Sequence, residues 1–279
     1  MRMSLSESIT LWFVVTSILG LGNTVGYHRL LTHRAFTAVR PVRWILTLLG
    51  ASHSGSPMFW VGLHRYHHAR SDTEDDPHTP KDGFWQGHTG WLIGMKHPLP
   101  CLLFALSGFG QQFMILTHDV RRLAGRNPAT WRDVCADLMK EPLLRALDVP
   151  LVMPALFGAQ LAAAWHLGGW HGIGWLWLSH VFLTNASWAV NSVCHWHAFG
   201  VQTFSTGEGS RDVWWVAWFT NGEGYHNSHH RFPKSAKHAL RGGADLSWAV
   251  IRLLVTLRLA RDPWLPKSYR PGKPAAGTS

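Results

Sequence analysis

Gly222-Glu223-Gly224-Tyr225-His226-Asn227-Ser228-His229-His230-Arg231-Phe232-Pro233 sets three histidines at i, i+3 and i+4. On a helix this spacing puts the three imidazoles on one face, where neutral ring nitrogens can converge on a metal. A chance cluster is a real alternative in a chain with 19 histidines. The pattern recurs, however, at His64, His67 and His68. His28 and His33 form a looser i, i+5 pair, about 140° apart on a helix of ~3.6 residues per turn, which suits a helix end that unwinds. Asn191 and His195 are i, i+4. The spacing from His33 to His64 and from His195 to His226 is 31 residues in each case, room for one apolar excursion that returns the chain to the same surface. Nine histidines from four stretches can therefore meet in one place, too many ligands for a single metal.

The chain around these motifs is apolar. Charged residues make up 15% of 279, hydrophobic ones 46%, and 17 are Trp. Little charge with heavy Trp use suits a membrane protein whose indoles sit at the water–lipid boundary. The formal net charge is +10, and from Arg231 onward ten Lys/Arg stand against two Asp, so +8 lies in the last 49 residues. Such a tail can bind nucleic acid or anionic lipid; the apolar segments favour membrane lipid, and no nucleic-acid partner is expected. Cys101, Cys135 and Cys194 contain no Cys-x2-Cys pair, which argues against an iron–sulfur site, a zinc ribbon or a disulfide framework. Reading Ile9–Leu21 as a signal peptide would place the cleavage almost on the Gly26–His33 motif, so it reads as a span instead.

The predicted fold is an all-α integral membrane protein. Three to four transmembrane helices carry a cytoplasmic helical cap that holds a histidine-rich dimetal site. Spans are expected near 9–27, 149–167 and 173–190, about the ~20 residues that cross a bilayer core. Segments 44–63, 101–116 and 246–259 read as re-entrant or interfacial helices, the last with Asp245 as N-cap. Arg65–His97 and Arg121–Leu147 are polar enough to lie in water. Gly168–Gly172 joins the last two spans without a formal charge, whereas the histidine stretches and the basic tail share the other side. By the positive-inside rule that side is cytoplasmic. Residues 1–264 form one domain and 265–279 a loose basic tail.

The order His-x4-His, His-x2-His-His, Asn-x3-His and His-Asn-x-His-His resembles the membrane fatty-acid desaturases, in particular the stearoyl-type (Δ9) acyl desaturases of bacterial kind. The flanks carry the likeness too: Gly26-Tyr27-His28-Arg29-Leu30-Leu31-Thr32-His33-Arg34, Ser71-Asp72-Thr73-Glu74-Asp75-Asp76-Pro77-His78, Asn191-Ser192-x-x-His195 and Gly222-Glu223-Gly224-Tyr225-His226. It spans roughly Gly22 to Trp264. Members usually have a span before the one bearing the first histidine box, and this chain starts too late for it.

The resemblance implies a di-iron site that uses O2 and two external electrons to introduce a cis double bond, at Δ9, into a saturated acyl chain. It implies His28, His33, His64, His67, His68, His195, His226, His229 and His230 as direct ligands, with Asn191 acting through a bound water. Asp72, Glu74, Asp75, Asp76 and Glu223 are candidates to receive the outer imidazole N–H groups. His53, His166, His171 and His180 read as packing residues, His78 as ordering its loop, and His197 falls off the face of His195. His88, His97, His118 and His238 read as surface or interface residues. Trp60 and Trp188, with residues of Val149–Val190, are candidate walls of an acyl tunnel, and Arg65 and Lys96 candidate head-group contacts. Animal acyl-CoA enzymes carry charged residues where Gly62-Leu63 stand here, which leaves acyl-lipid and acyl-carrier-protein substrates open beside acyl-CoA. The chain has no haem, Rossmann or four-cysteine motif, so electrons come from a separate ferredoxin, rubredoxin or cytochrome with its reductase; Arg121, Arg122, Arg126 and the basic tail are candidate docking groups. A related hydroxylase or acetylenase would carry the same boxes. A membrane metal-binding or transport protein is the reading from another class, and there ionisable groups should line a path at mid-membrane.

Overall fold

The computed structural model describes residues 4–124 and 134–269, and these are mostly helical, with longer loops at 193–213 and 232–245 and one two-residue strand pair. Helix α1 (Leu5–Leu21) starts at a capping box: Glu7 N–H donates to Ser4 Oγ, and Glu7 Oε2 accepts from Ser4 N–H at 2.7 Å. It runs on without a break into an 11-residue π-helical stretch, Gly22–Thr32, giving 28 residues in all. Its outward side is apolar, with Ile9, Leu11, Phe13, Val14 and Ile18 exposed, while its buried residues are Thr16 and Gly20. A helix of a water-soluble protein has the opposite distribution.

Helix α2 (Arg40–Ser54) lies against this first element at close range. Gly22 and Gly26 are i, i+4, and a Cβ at Gly22 would fall 2.2 Å from Gly50 N, one at Gly26 2.7 Å from Leu46 O. Only glycine lets the two backbones touch in this way, the small-residue packing common between membrane helices. Gly55 (φ 80°) then turns the chain, and Ser56 caps α3 (Pro57–Arg70) with Pro57 in its first turn. The segment expected as one helix over 44–63 is thus two, broken at Gly55-Ser56-Pro57.

The run expected at 101–116 is also two helices, α4 (Pro98–Leu106) and α5 (Gly110–Leu123), bent by 97° where Gly108 has φ 66°. Helix α6 (Pro142–Leu147) leads to α7 (Val152–Ser192), a 41-residue element that doubles back at Gly169 (φ 55°, ψ −136°). A Cβ on Gly172 would meet Ala164 O at 2.0 Å, so the arms touch just beyond the bend. The hairpin expected from segments 149–167 and 173–190 is present. Short helices α8 (Trp214–Phe219) and α9 (His226–Arg231) follow, then α10 (Leu246–Thr256), which Asp245 caps through Trp248 N–H at 2.9 Å. Strand β1 (Thr37–Ala38) pairs antiparallel with β2 (Ala260–Arg261), fastening the chain's end beside the first histidine pair.

Among the described residues one helix is long and apolar enough to cross a membrane, Leu5–Thr32, or two if the bent pair α4–α5 is one span. The arms of α7 fall outside that count: Gln160, His166, His171 and His180 dilute their hydropathy and Gly169 interrupts them. Arg126 and the tail from 270 lie outside the described residues. A main core cluster of Val25, Tyr27, Leu30, Leu31, Met58 and Val61 packs directly behind the first histidine pair.

Gly22→Val should separate the first element from α2 and lower stability by about 1–3 kcal/mol, the usual penalty of overpacking. Gly158→Ala, where an added Cβ meets nothing within 4 Å, should be neutral. Thermal unfolding of the two detergent-solubilised variants measures the difference.

Candidate metal centre

The i, i+5 spacing of His28 and His33 is resolved by the π-helical turn. In a π-helix residue i+5 returns to the face of residue i, and His33 N–H donates to His28 O at 3.1 Å. The rings lie 4.8 Å apart between centroids. The helix end therefore widens rather than unwinds. Helix α3 contributes His64, His67 and His68, the turn after α7 contributes His195, and α9 contributes His226, His229 and His230. Short anchors hold the last two segments: Ser228 donates to Asp212 through N–H (2.9 Å) and Oγ (2.7 Å), and Asn227 pairs with both backbone groups of Phe204.

All nine predicted histidines converge, in two groups. His28, His33, His64, His68 and His229 offer ring nitrogens that lie within 4.8 Å of one another, and His67, His195, His226 and His230 form a second such set. Within them Nε2 faces Nε2: His28–His229 at 3.1 Å, His64–His68 at 3.1 Å, His68–His229 at 2.9 Å and His226–His230 at 3.0 Å. Two nitrogens each about 2.1 Å from one ion and at right angles lie about 3 Å apart. His33 Nε2, His67 Nε2 and His195 Nε2 are buried with no hydrogen-bond partner. Burial, reinforced by the neighbouring imidazoles, pushes His33, His64, His68, His226, His229 and His230 well below the ordinary histidine value, so these rings are neutral donors of a lone pair. Ring nitrogens about 3 Å apart, several of them buried without a hydrogen-bond partner, fit a pair of cations.

A ring of carboxylates holds the outer nitrogens. His28 Nδ1 lies 2.5 Å from Glu223 Oε2, His67 Nδ1 3.0 Å from Asp76 Oδ2, and His195 Nδ1 3.1 Å from Asp72 Oδ2. Each acid fixes the proton on Nδ1 and so leaves Nε2 free to ligate. Glu74 and Asp75, the other two candidates, are exposed in the loop. Burial disfavours the Asp76 carboxylate, but His67, His78 and the Asp72 N–H outweigh it and hold the acid below its ordinary range. His78 is itself buried 3.3 Å from Asp76 Oδ1 and pushed down to about 3, chiefly by burial.

Beside this centre lies a cavity of about 1040 Å³, lined by Trp60, His64, Leu183, Thr184, Trp188 and Asn191 among others. Trp60 stacks on His64 with centroids 5.1 Å apart. Two predicted head-group contacts are elsewhere. Arg65 turns away to Asp137 (2.7 Å) and Leu31 O (3.0 Å), and Lys96 pairs with exposed Asp82 at 2.8 Å; neither lines the cavity. Arg122 does line it, tied to Asp148.

Sequence reading missed three contributors, Arg29, Glu208 and His238, and also the burial of His88. Glu208 sits 3.6 Å from both His195 Nδ1 and His230 Nδ1. Arg29, fully buried, donates to Glu223 Oε1 (3.1 Å) and Ala236 O (2.7 Å) and pairs with Asp245 at 3.0 Å. Burial favours a neutral Glu223, yet Arg29, His28 and His238 keep it well below the carboxylate range. His238, read as a surface or interface residue, is buried with Nδ1 3.1 Å from Glu223 Oε2. His88, read the same way, is buried between Ser192 Oγ (2.9 Å) and Asn185 Oδ1 (3.1 Å). The i, i+1 placement of Arg29 beside His28 was the available signal for the first of these. His238 had none, because its burial is set by α10 and the Asp245 turn.

Arg29→Met should leave Glu223 and Asp245 buried without their cation and destabilise the protein by about 3–5 kcal/mol. Thermal unfolding in detergent, with Arg29→Lys recovering part of the loss, checks it.

A family model for fatty acid desaturases matches residues 8–252. The chain is 35% identical over 247 residues to an sn-1 stearoyl-lipid 9-desaturase of Anabaena variabilis, covering 87% of this chain and 78% of that protein. It is 34% identical over 265 residues to an sn-2 palmitoyl-lipid 9-desaturase of Nostoc sp. (strain 36), with 90% and 82% covered. An acyl-CoA 5-desaturase of Anemone leveillei is 35% identical over 256 residues, with 90% and 70% covered. With a family match over most of its length and relatives above 30% identity, the chain belongs to the fatty acid desaturase family and is an acyl desaturase, an oxidoreductase.

Proposed function

We propose that this chain is a membrane di-iron desaturase that introduces a cis Δ9 double bond into the saturated acyl chain of a lipid. The observation that carries the reading is the division of nine buried or half-buried imidazoles into sets of five and four, each with nitrogens about 3 Å apart. Two ions with nine nitrogen donors exceed what tetrahedral zinc accepts, and imidazole suits iron. His28, His33, His64, His68 and His229 would hold one iron and His67, His195, His226 and His230 the other, with Asn191 reaching it through water. When bound, the irons supply reductive activation of O2, which breaks unactivated C–H bonds that no protein acid or base can break. The overall balance is one O2, two electrons, two protons and two hydrogens from adjacent methylenes, giving one C=C bond and two waters.

The protein's own groups do the rest. The cavity takes the acyl chain and excludes water from it, with Trp60 and Trp188 as walls and His64 and Asn191 where it meets the centre. Asp72, Asp76 and Glu223 keep the Nδ1 protons of His195, His67 and His28 in place, so the ring orientations do not change during turnover. Two of the three relatives quoted above are lipid 9-desaturases, which supports Δ9 and a lipid head group over acyl-CoA or acyl-carrier protein. The outward apolar side of α1 supports a membrane-embedded protein, with the hairpin arms of α7 as further spans. The basic residues beside the histidines support a cytoplasmic centre. The electron donor is a separate ferredoxin, rubredoxin or cytochrome.

Expression in a bacterial host, beside His229→Ala, tests the reaction. A new cis-monoene from the wild type alone is expected, with its double bond at C9 after derivatisation. A hydroxy acid or an alkyne in its place would identify the related hydroxylase or acetylenase, and a protein that binds metal without consuming O2 would point to metal binding or transport. Asp76→Asn and Glu223→Gln should fold yet hold iron about 10–100-fold more weakly, measured by chelator competition.

A further inference from the structure

A second cleft, about 570 Å³, reaches the histidine centre and shares no lining residue with the acyl cavity. His33 lies in it, and His33 Nε2 is one of the buried nitrogens without a partner. Four cations surround it, Arg34, Arg65, Arg231 and Lys234, with Trp264 at its edge. The acid facing them is Asp137, 2.5 Å from Arg34 and 2.7 Å from Arg65. Among the described residues, four cations against one carboxylate leave three charges uncompensated, and Arg34, Arg231 and Lys234 are exposed. Of the candidate docking groups read from sequence, the start of the basic tail supplies Arg231 and Lys234 to this cleft, whereas Arg122 is committed to Asp148 in the acyl cavity, Arg121 lines that same cavity, and Arg126 falls outside the described residues.

We propose that this cationic cleft is where an acidic one-electron carrier protein docks, delivering electrons beside His33. The inference rests on the desaturase reading above and adds the place and the charge of the partner. Reduction of O2 to water during desaturation needs two electrons, so a one-electron carrier visits twice, becoming oxidised by one electron at each visit. The acyl cavity is apolar and filled by substrate, which leaves the carrier a different approach. Of these two clefts, this one has net positive charge, and complementary charge both steers encounter and fixes register. The rim residues lie outside the ligand set, so the charge of the cleft can be altered without removing a ligand.

The test uses the full chain, loaded with iron, in nanodiscs of zwitterionic phosphatidylcholine, with a reduced plant-type [2Fe–2S] ferredoxin as the acidic probe. Lys234→Glu combined with Arg34→Glu should raise the ferredoxin concentration at half-maximal rate about tenfold at low salt, shrinking to under about twofold near 0.5 M salt. Iron content, and turnover driven by dithionite with methyl viologen, should match the wild type. Direct binding of oxidised ferredoxin should weaken in parallel, and this arm reads docking even where turnover fails. An unchanged half-maximal concentration and binding would overturn the proposal. So would an equal loss with the chemical reductant, which would make the cleft part of the centre's scaffold, or an effect confined to nanodiscs with anionic phosphatidylglycerol, which would make it a lipid contact. A wild type that desaturates nothing with the chemical reductant would instead strike at the desaturase reading.

Discussion

Imidazole nitrogens packed 2.9–3.1 Å apart in a largely buried cluster are the constraint on which this structure depends. Neutral histidines have one N–H each, and several of these nitrogens face each other or face nothing. Such an arrangement leaves buried polar atoms unsatisfied at roughly 1–3 kcal/mol apiece, unless a cation completes it. The fold is therefore built to hold a centre that its own atoms leave incomplete. A metal bound there would couple to stability for the same reason.

That constraint explains the second layer. Each histidine stretch arrives on a different element, and nothing in a short helix such as His226–Arg231 would hold its rings in place alone. Asp72, Asp76 and Glu223 accept from the Nδ1 N–H groups of His195, His67 and His28 and so orient those rings, while Glu208 lies 3.6 Å from His230 Nδ1 on the last histidine helix. Glu223 is in turn clamped by Arg29, whose guanidinium also reaches Asp245, the cap of α10. One buried network thus links the first histidine pair, the last histidine helix and the C-terminal helix. A buried ion pair is costly in isolation; here it secures the relative position of three segments around the centre.

The periodicity of the boxes was readable because helix spacing is a local property: i, i+3, i+4 puts rings together whatever surrounds them. The four stretches' convergence was inferred from number and interval, and all nine rings do meet. The π-helical turn was not readable, since its stability comes from the glycine contact between the first element and α2 rather than from His28 and His33. The break within 44–63 is likewise hidden in the sequence: Gly55 and Pro57 signal it only when weighed above hydropathy. Arg65 and Lys96 are placed by acids distant in sequence, Asp137 for the one and Asp82 for the other. His238 and Glu208 reach the centre from loops whose course depends on tertiary contacts. Identity of a ligand type was therefore local information, and identity of its supporting residues was not.

The central claim is that two irons occupy the two histidine sets. The most direct measurement is metal content per chain of the purified full-length protein, taken together with iron X-ray absorption of the same sample. The account predicts two irons per chain, each in a nitrogen-rich shell at about 2.0–2.2 Å. A single metal per chain, or zinc that iron cannot displace, would contradict it.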